Sequence, residues 1–270
     1  MFVDNTKKII VLSVPGTDSY FAEMFFRQQF QQKSISVQWV FLRSVTESEK
    51  NDIPIGNLNV DKLPQNMVPQ SPSDRVLRRS GILLPKISDI IELNILNAPW
   101  YEYQIYGMCT NPIDRIIIQQ EELIYIGAYM SLMRCIEENK EVRDYIPNRE
   151  ALIPESIKTR TLNSLMNNYV VNLNGLKFDP NDSKFPDYMK QQVLWLKHQD
   201  NLINHIFKYD NYVDFVSAIS AIYEVDASLY DDIQRISSRK SNLTANDLSV
   251  ELCNAILEQY PDDKILYDSL

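Results

Sequence analysis

Apolar and polar positions along the chain alternate between two kinds of order. Ile9-Ile10-Val11-Leu12-Ser13-Val14 is a short β-branched run ending at Pro15-Gly16, which reads as a buried parallel strand followed by a turn. Tyr20, Phe21, Met24, Phe25 and Gln28 then fall at helical spacing, with Asp18 or Ser19 placed to cap the helix. Ser36–Leu42 is a second strand candidate, so the opening reads strand, turn, helix, strand, the unit that usually begins an α/β sheet.

From Glu47 to Pro85 the apolar rhythm stops. Five prolines (Pro54, Pro64, Pro69, Pro72 and Pro85) interrupt a polar stretch, which reads as an irregular excursion or lid within one domain spanning 1–270. Beyond it the pattern gives a helix over Ile87–Leu96, a third strand at Tyr103–Cys109 and a long helix from Asp114 to about Lys140. Further helices follow near Glu155–Asn168 and from Pro186 to about Gln199, then a late strand at Ile203–Tyr209. Helices over Tyr212–Glu224, Leu229–Ser237 and Ala245–Gln259 close the pattern, the last announced by a Thr244-x-x-Asp247 capping box and ended by Pro261. The predicted class is α/β, a central, largely parallel sheet flanked by helices, with a helix-rich C-terminal half.

Charge and composition narrow the functions. A net charge of −9 argues against nucleic-acid and anionic-membrane partners. The longest apolar runs fall far short of the ~20 residues a membrane span needs, and the first residues carry no signal-peptide pattern. Three widely spaced cysteines (Cys109, Cys135 and Cys253) fit a reducing compartment. The expectation is a soluble, cytoplasmic protein. With only His198 and His205, and no Cys-x-x-Cys pair, no metal is expected. Asp231-Asp232 and Asp262-Asp263 read as surface charge at helix ends.

Four short motifs, taken in order, resemble the P-loop sulfotransferases that use 3′-phosphoadenosine-5′-phosphosulfate. Val14-Pro15-Gly16-Thr17-Asp18-Ser19-Tyr20 stands where that family has its phosphosulfate loop. Thr110-Asn111-Pro112-Ile113-Asp114-Arg115 stands where that family has an Arg-Asp/Asn-Pro-x-x-Arg signature and resembles it from Asn111 on. Gln192–Trp195 with Ile206–Asp210, and finally Tyr260-Pro261-Asp262-Asp263, follow the order of the family's C-terminal half. The resemblance implies that fold, the phosphosulfate nucleotide as donor, and sulfuryl transfer to a hydroxyl or amine acceptor. It assigns cofactor contacts to Gly16, Thr17, Asp18, Ser19, Tyr20, Thr110 and Arg115, with Arg239 and Lys240 as late cations. Arg75, Arg78 and Arg79 on the excursion are candidates for an acidic substrate.

The departures fall on the functional atoms. Gly16 replaces the loop lysine, Asp18 the following glycine, Thr110 an arginine and Ile118 a serine. A carboxylate beside an anion site repels the ligand, and sulfuryl transfer depends on positive charge where negative charge accumulates. The loop therefore also reads as a plain capped strand-to-helix turn. Two other classes stand beside the enzyme: an interaction or assembly module that keeps the fold and binds a protein partner, and, third, a glycosyltransferase, suggested by Glu122–Ala128 and Ala151–Ile153. On sequence grounds, Gly16→Lys with Asp18→Gly should restore nucleotide binding.

Overall fold

A computed structural model describes residues 1–14, 16–17, 19–40, 42–43, 82–83, 85–121, 124, 154–167, 190–229 and 243–270. Its centre is a mixed five-stranded sheet built from β1 (Phe2–Asp4), β2 (Ile9–Val11), β3 (Gln38–Trp39), β6 (Gln104–Cys109) and β9 (His205–Lys208), in the order β3-β1-β2-β6-β9. β2, β6 and β9 run parallel, with Ile10 opposite Ile105 and Gly107 opposite Ile206. β1 is antiparallel to both β2 and β3. The chain is α/β, and the strands expected at Ile9–Val14, Ser36–Leu42, Tyr103–Cys109 and Ile203–Tyr209 all contribute to this sheet.

β1 was not anticipated. Its three residues are buried, and it folds back through Asn5–Lys8 to pair with β2. Asp4 makes the turn: its Oδ1 accepts from the amides of Thr6 and Lys7, each at 2.9 Å. Its Oδ2 accepts from the Tyr223 hydroxyl at 2.9 Å, which ties the hairpin to α6 (Tyr212–Tyr223). Lys8 closes the turn with φ at 54°.

Alternation along the strands divides the core into two layers. Phe2, Ile9, Val11, Tyr106 and Met108 face α1 (Ser19–Gln32) and α6. The Phe2 ring meets Phe26, Phe30, Trp39 and Tyr223 edge-on, with centroids 5.1–6.2 Å apart. Val3, Ile10, Leu12, Ile105 and Cys109 face the other way. They pack on α2 (Ile87–Glu92), α5 (Val193–Leu196) and Leu266 of α8 (Pro261–Ser269). Ile113, Ile116 and Ile117 lie on a helix over 112–121, α3. They form a third cluster with α4 (Pro154–Leu165) and α7 (Val250–Gln259).

Several expected boundaries move for local reasons. The helix foreseen as far as Gln199 stops at Leu196. Lys197–His198 (β7) and Asn201–Leu202 (β8) form a hairpin instead. Its two turn residues, Gln199 and Asp200, take φ of 48° and 66°, as a two-residue hairpin turn requires. The Thr244/Asp247 box closes a single 3-10 turn, Ala245–Asp247. The true cap of α7 is Ser249, whose Oγ accepts from the Leu252 amide at 3.2 Å. Pro261 does not only stop α7; it occupies the first turn of α8, where its missing N–H costs nothing.

Leu42–Arg43 (β4), just ahead of the Pro-rich excursion, pair antiparallel with Ile82–Leu83 (β5) near its far end. The excursion's interior lies outside the described residues, as do most of the helix expected beyond residue 121 and most of Leu229–Ser237. Among the described residues no helix is long and apolar enough to cross a membrane.

Gly107 sits mid-strand in β6. A Cβ there would lie 2.7 Å from Leu196 Cδ2 and 3.0 Å from Ile203 Cδ1. The missing side chain lets α5 and the segment after the β7–β8 hairpin approach the sheet. Gly107→Ala is expected to destabilise by about 1–3 kcal/mol through overpacking. Denaturant unfolding checks this, and an unchanged midpoint would show slack at this contact.

Candidate functional site

The site is the end of the sheet where the parallel strands β2 and β6 finish, the end at which open α/β sheets bind ligands. The chain leaves β2 through Val14–Thr17. Gly16 has φ at +77°, and the Thr17 amide donates to Val14 O at 3.3 Å. Glycine adopts this positive φ without the clash a Cβ would bring. Thr17 is fully buried, and its hydroxyl also donates to Val14 O, at 2.7 Å. Both donors of Thr17 therefore point back into the turn.

β6 ends at Cys109-Thr110, and Asn111 starts α3. The Asn111 Oδ1 accepts from the Ile113 amide at 2.9 Å, with Pro112 in the first helical position, so the Asn-Pro pair works here as a helix start. Thr110 is buried, and its hydroxyl donates to Gly16 O at 3.2 Å. One turn along α3, the side chains of Arg115 and Gln119 lie against the first loop. A Cβ at Gly16 would fall 2.6 Å from Arg115 Cγ and 2.7 Å from Gln119 Nε2.

Arg115 is fully buried. Its Nη1 donates to Asp263 Oδ2 at 2.9 Å, its Nη2 donates to Lys190 O, and its guanidinium stands 5.5 Å from the Tyr260 ring centre. Asp263 is equally buried. It also accepts from the Gln192 amide at Oδ2 and the Val193 amide at Oδ1, both at 2.9 Å. Burial pushes the Asp263 carboxyl up from its ordinary range, while Arg115 and these amides pull it back. The Gln192 side chain closes the circuit, accepting from the Thr110 amide at 3.0 Å and donating to Thr110 O at 2.8 Å.

The expectation of surface charge at Asp262-Asp263 is therefore corrected. Asp262 is exposed and meets Gln191, whereas Asp263 is the buried counter-ion of the site. Adjacent acids in a first helical turn look alike in sequence. The helix turns the second toward α3, and only the tertiary fold supplies Arg115. Gln119 was also missed, its signal being the (i, i+4) spacing from Arg115.

Of the residues assigned to the cofactor, Gly16, Thr17, Thr110 and Arg115 are brought together. Asp18 and the side chains of Ser19 and Tyr20 lie outside the described residues, as do Arg239, Lys240, Arg75, Arg78 and Arg79. Restoring lysine at position 16 is no longer expected to help. The positive φ costs a side-chain-bearing residue roughly 1–2 kcal/mol, and the space its Cβ needs is filled. Among the described residues, no group of three or more His, Cys, Asp or Glu side chains is gathered to hold a metal.

Two outcomes follow from this packing. Gly16→Lys should lower stability without creating nucleotide affinity, read by thermal unfolding and calorimetric titration of the same sample. Cys109 should be inert: burial, reinforced by Asp263, pushes its thiol up to about 12. A free thiol near 8.5 is about one-quarter thiolate at pH 8, against about 1 part in 10⁴ for Cys109. Site-resolved alkylation at pH 8 should therefore leave Cys109 unmodified until the protein unfolds. Because the folded-state value is raised, this thiol favours folding fully below pH ~8.5 and loses that contribution as pH rises towards 12.

Comparison with protein-family models, curated proteins and solved structures finds no match to this chain.

Proposed function

We propose that the chain is a sulfotransferase-like protein that keeps the frame of a nucleotide site but has lost the grip of its first loop on a phosphosulfate group. It serves as a binding or assembly module, with sulfuryl transfer absent or strongly reduced. One observation carries this reading. The motif segments at Gly16–Thr17, Thr110–Arg115, Gln192 and Asp263 meet at one end of the sheet, yet bond to one another.

A loop that holds a transferring sulfuryl group needs amide donors and a cation directed outward. Here both Thr17 donors go to Val14 O, the Thr110 hydroxyl goes to Gly16 O, and the Arg115 charge is matched by Asp263. These described residues do not fit the phosphosulfate group as they stand. An acidic net charge of −9 adds to the unfavourable balance for a polyanionic nucleotide.

The enzymatic reading remains the second one, favoured by the position of the cluster beyond the carboxyl ends of parallel strands. In that reading a bound phosphosulfate nucleotide would supply the sulfuryl group to a hydroxyl or amine acceptor. The cations would then come from Arg239 and Lys240, outside the described residues.

Calorimetric titration with adenosine 3′,5′-bisphosphate separates the two. No binding is expected up to about 1 mM nucleotide, the affinity that about 4 kcal/mol of binding free energy gives. A micromolar dissociation constant, lost on Arg239→Ala with Lys240→Ala, would return the protein to the enzymes.

A further inference from the structure

Asp263 lies far along the chain from the first loop, yet two independent routes lead from its one carboxylate to the same loop residue. The first runs through charge. Asp263 Oδ2 accepts from Arg115 Nη1 at 2.9 Å, and the Arg115 stem lies on the bare α-face of Gly16, 2.6 Å from where a Cβ would stand. The second runs through amides. The same Oδ2 accepts from the Gln192 amide, the Gln192 side chain holds both backbone groups of Thr110, and the Thr110 hydroxyl donates to Gly16 O.

We infer that Asp263 is a positioning residue for the first loop, and that docking of the C-terminal helix α8 and placement of Gly16–Thr17 form one coupled conformational device. Bulk stability gives little reason for the arrangement. A buried ion pair is often no better than a well-packed apolar pair of the same volume, whereas it fixes geometry and register. The contacts at Gly16 have the same character, since the close approach of Arg115 is open only to a residue without a side chain. If α8 withdraws, the loop loses the arginine stem behind Gly16 and the threonine hydroxyl on its carbonyl together. Linkage then works in both directions: whatever holds Gly16–Thr17 in place, a small molecule or a protein, also holds α8 down. The inference extends the proposed function by naming what governs the loop, and it stands whether or not the loop binds a nucleotide.

The test uses the full chain with the pair replaced by apolar residues, Arg115→Met with Asp263→Leu, and Asp263→Asn as a second variant that keeps an acceptor for the amides. Amide hydrogen exchange is read at Thr17 and Thr110, with Val3 and Ile10 in the centre of the sheet as the internal reference. The expected result is a lowered thermal midpoint for the apolar pair, because the Gln192 and Val193 amides and Lys190 O lose their partners. Exchange at Thr17 and Thr110 should accelerate at least tenfold more than exchange at Val3 and Ile10. Unchanged exchange at Thr17 and Thr110 in a folded variant overturns the coupling. So does an equal acceleration at all four amides, which marks a general loss of stability. If the apolar pair does not fold, Asp263→Asn is judged by the same two criteria. Nucleotide titration of these samples addresses the proposed function separately, because the exchange result does not depend on whether any protein in the series binds.

Discussion

Arg115 and Asp263 face each other 2.9 Å apart with no access to water, and the architecture at this end of the sheet gathers polar partners around that pair. Each charge would be costly alone in such surroundings. The carboxylate therefore draws in the amides of Gln192 and Val193, and the guanidinium draws in Lys190 O and the face of Tyr260. Those partners are the points where α3, α5 and α8 meet, so the polar cluster fixes how the helical elements sit on the sheet. The apolar layers fill the volume on either side, but hydrophobic contact has no direction and would not select this register.

Much of the sheet was legible because burial on both faces leaves a plain mark. Ile9–Val11 and Ile105–Cys109 are nearly all apolar, as strands covered on two sides must be. β1 left no such mark: Phe2–Asp4 is too short for a period to register, and its partner in burial, Tyr223, comes from α6. The β7–β8 hairpin was hidden for another reason. His198, Gln199 and Asp200 follow a helical turn, and nothing local announces the two positive φ values that end it.

The site was legible in part. Motif order drew attention to Gly16, Thr110 and Arg115, and the fold brings these three into contact. Their chemistry was not legible, because it depends on what else arrives. The Arg115 side chain is the same whether it meets a phosphate or a carboxylate, and Asp263 decides between them. Glycine at 16 looked like the loss of a cation. In the fold it is also the condition for the arginine stem and the Gln119 amide to lie flat against the loop.

The order of strands along the chain also has a meaning in time. β1 and β2 are neighbours in sequence as well as in space, so this hairpin can pair over a short loop, which is the fast part of forming a sheet, whereas β3 reaches β1 only after α1. β6 and β9 join it across long separations, and Asp263 follows all of them. During synthesis Arg115 is made well before its counter-ion, and through that interval the nascent chain carries an arginine destined for the interior with no carboxylate to meet it. The polar cluster therefore cannot close until residue 263 has joined the fold, and until then this end of the sheet stays wet.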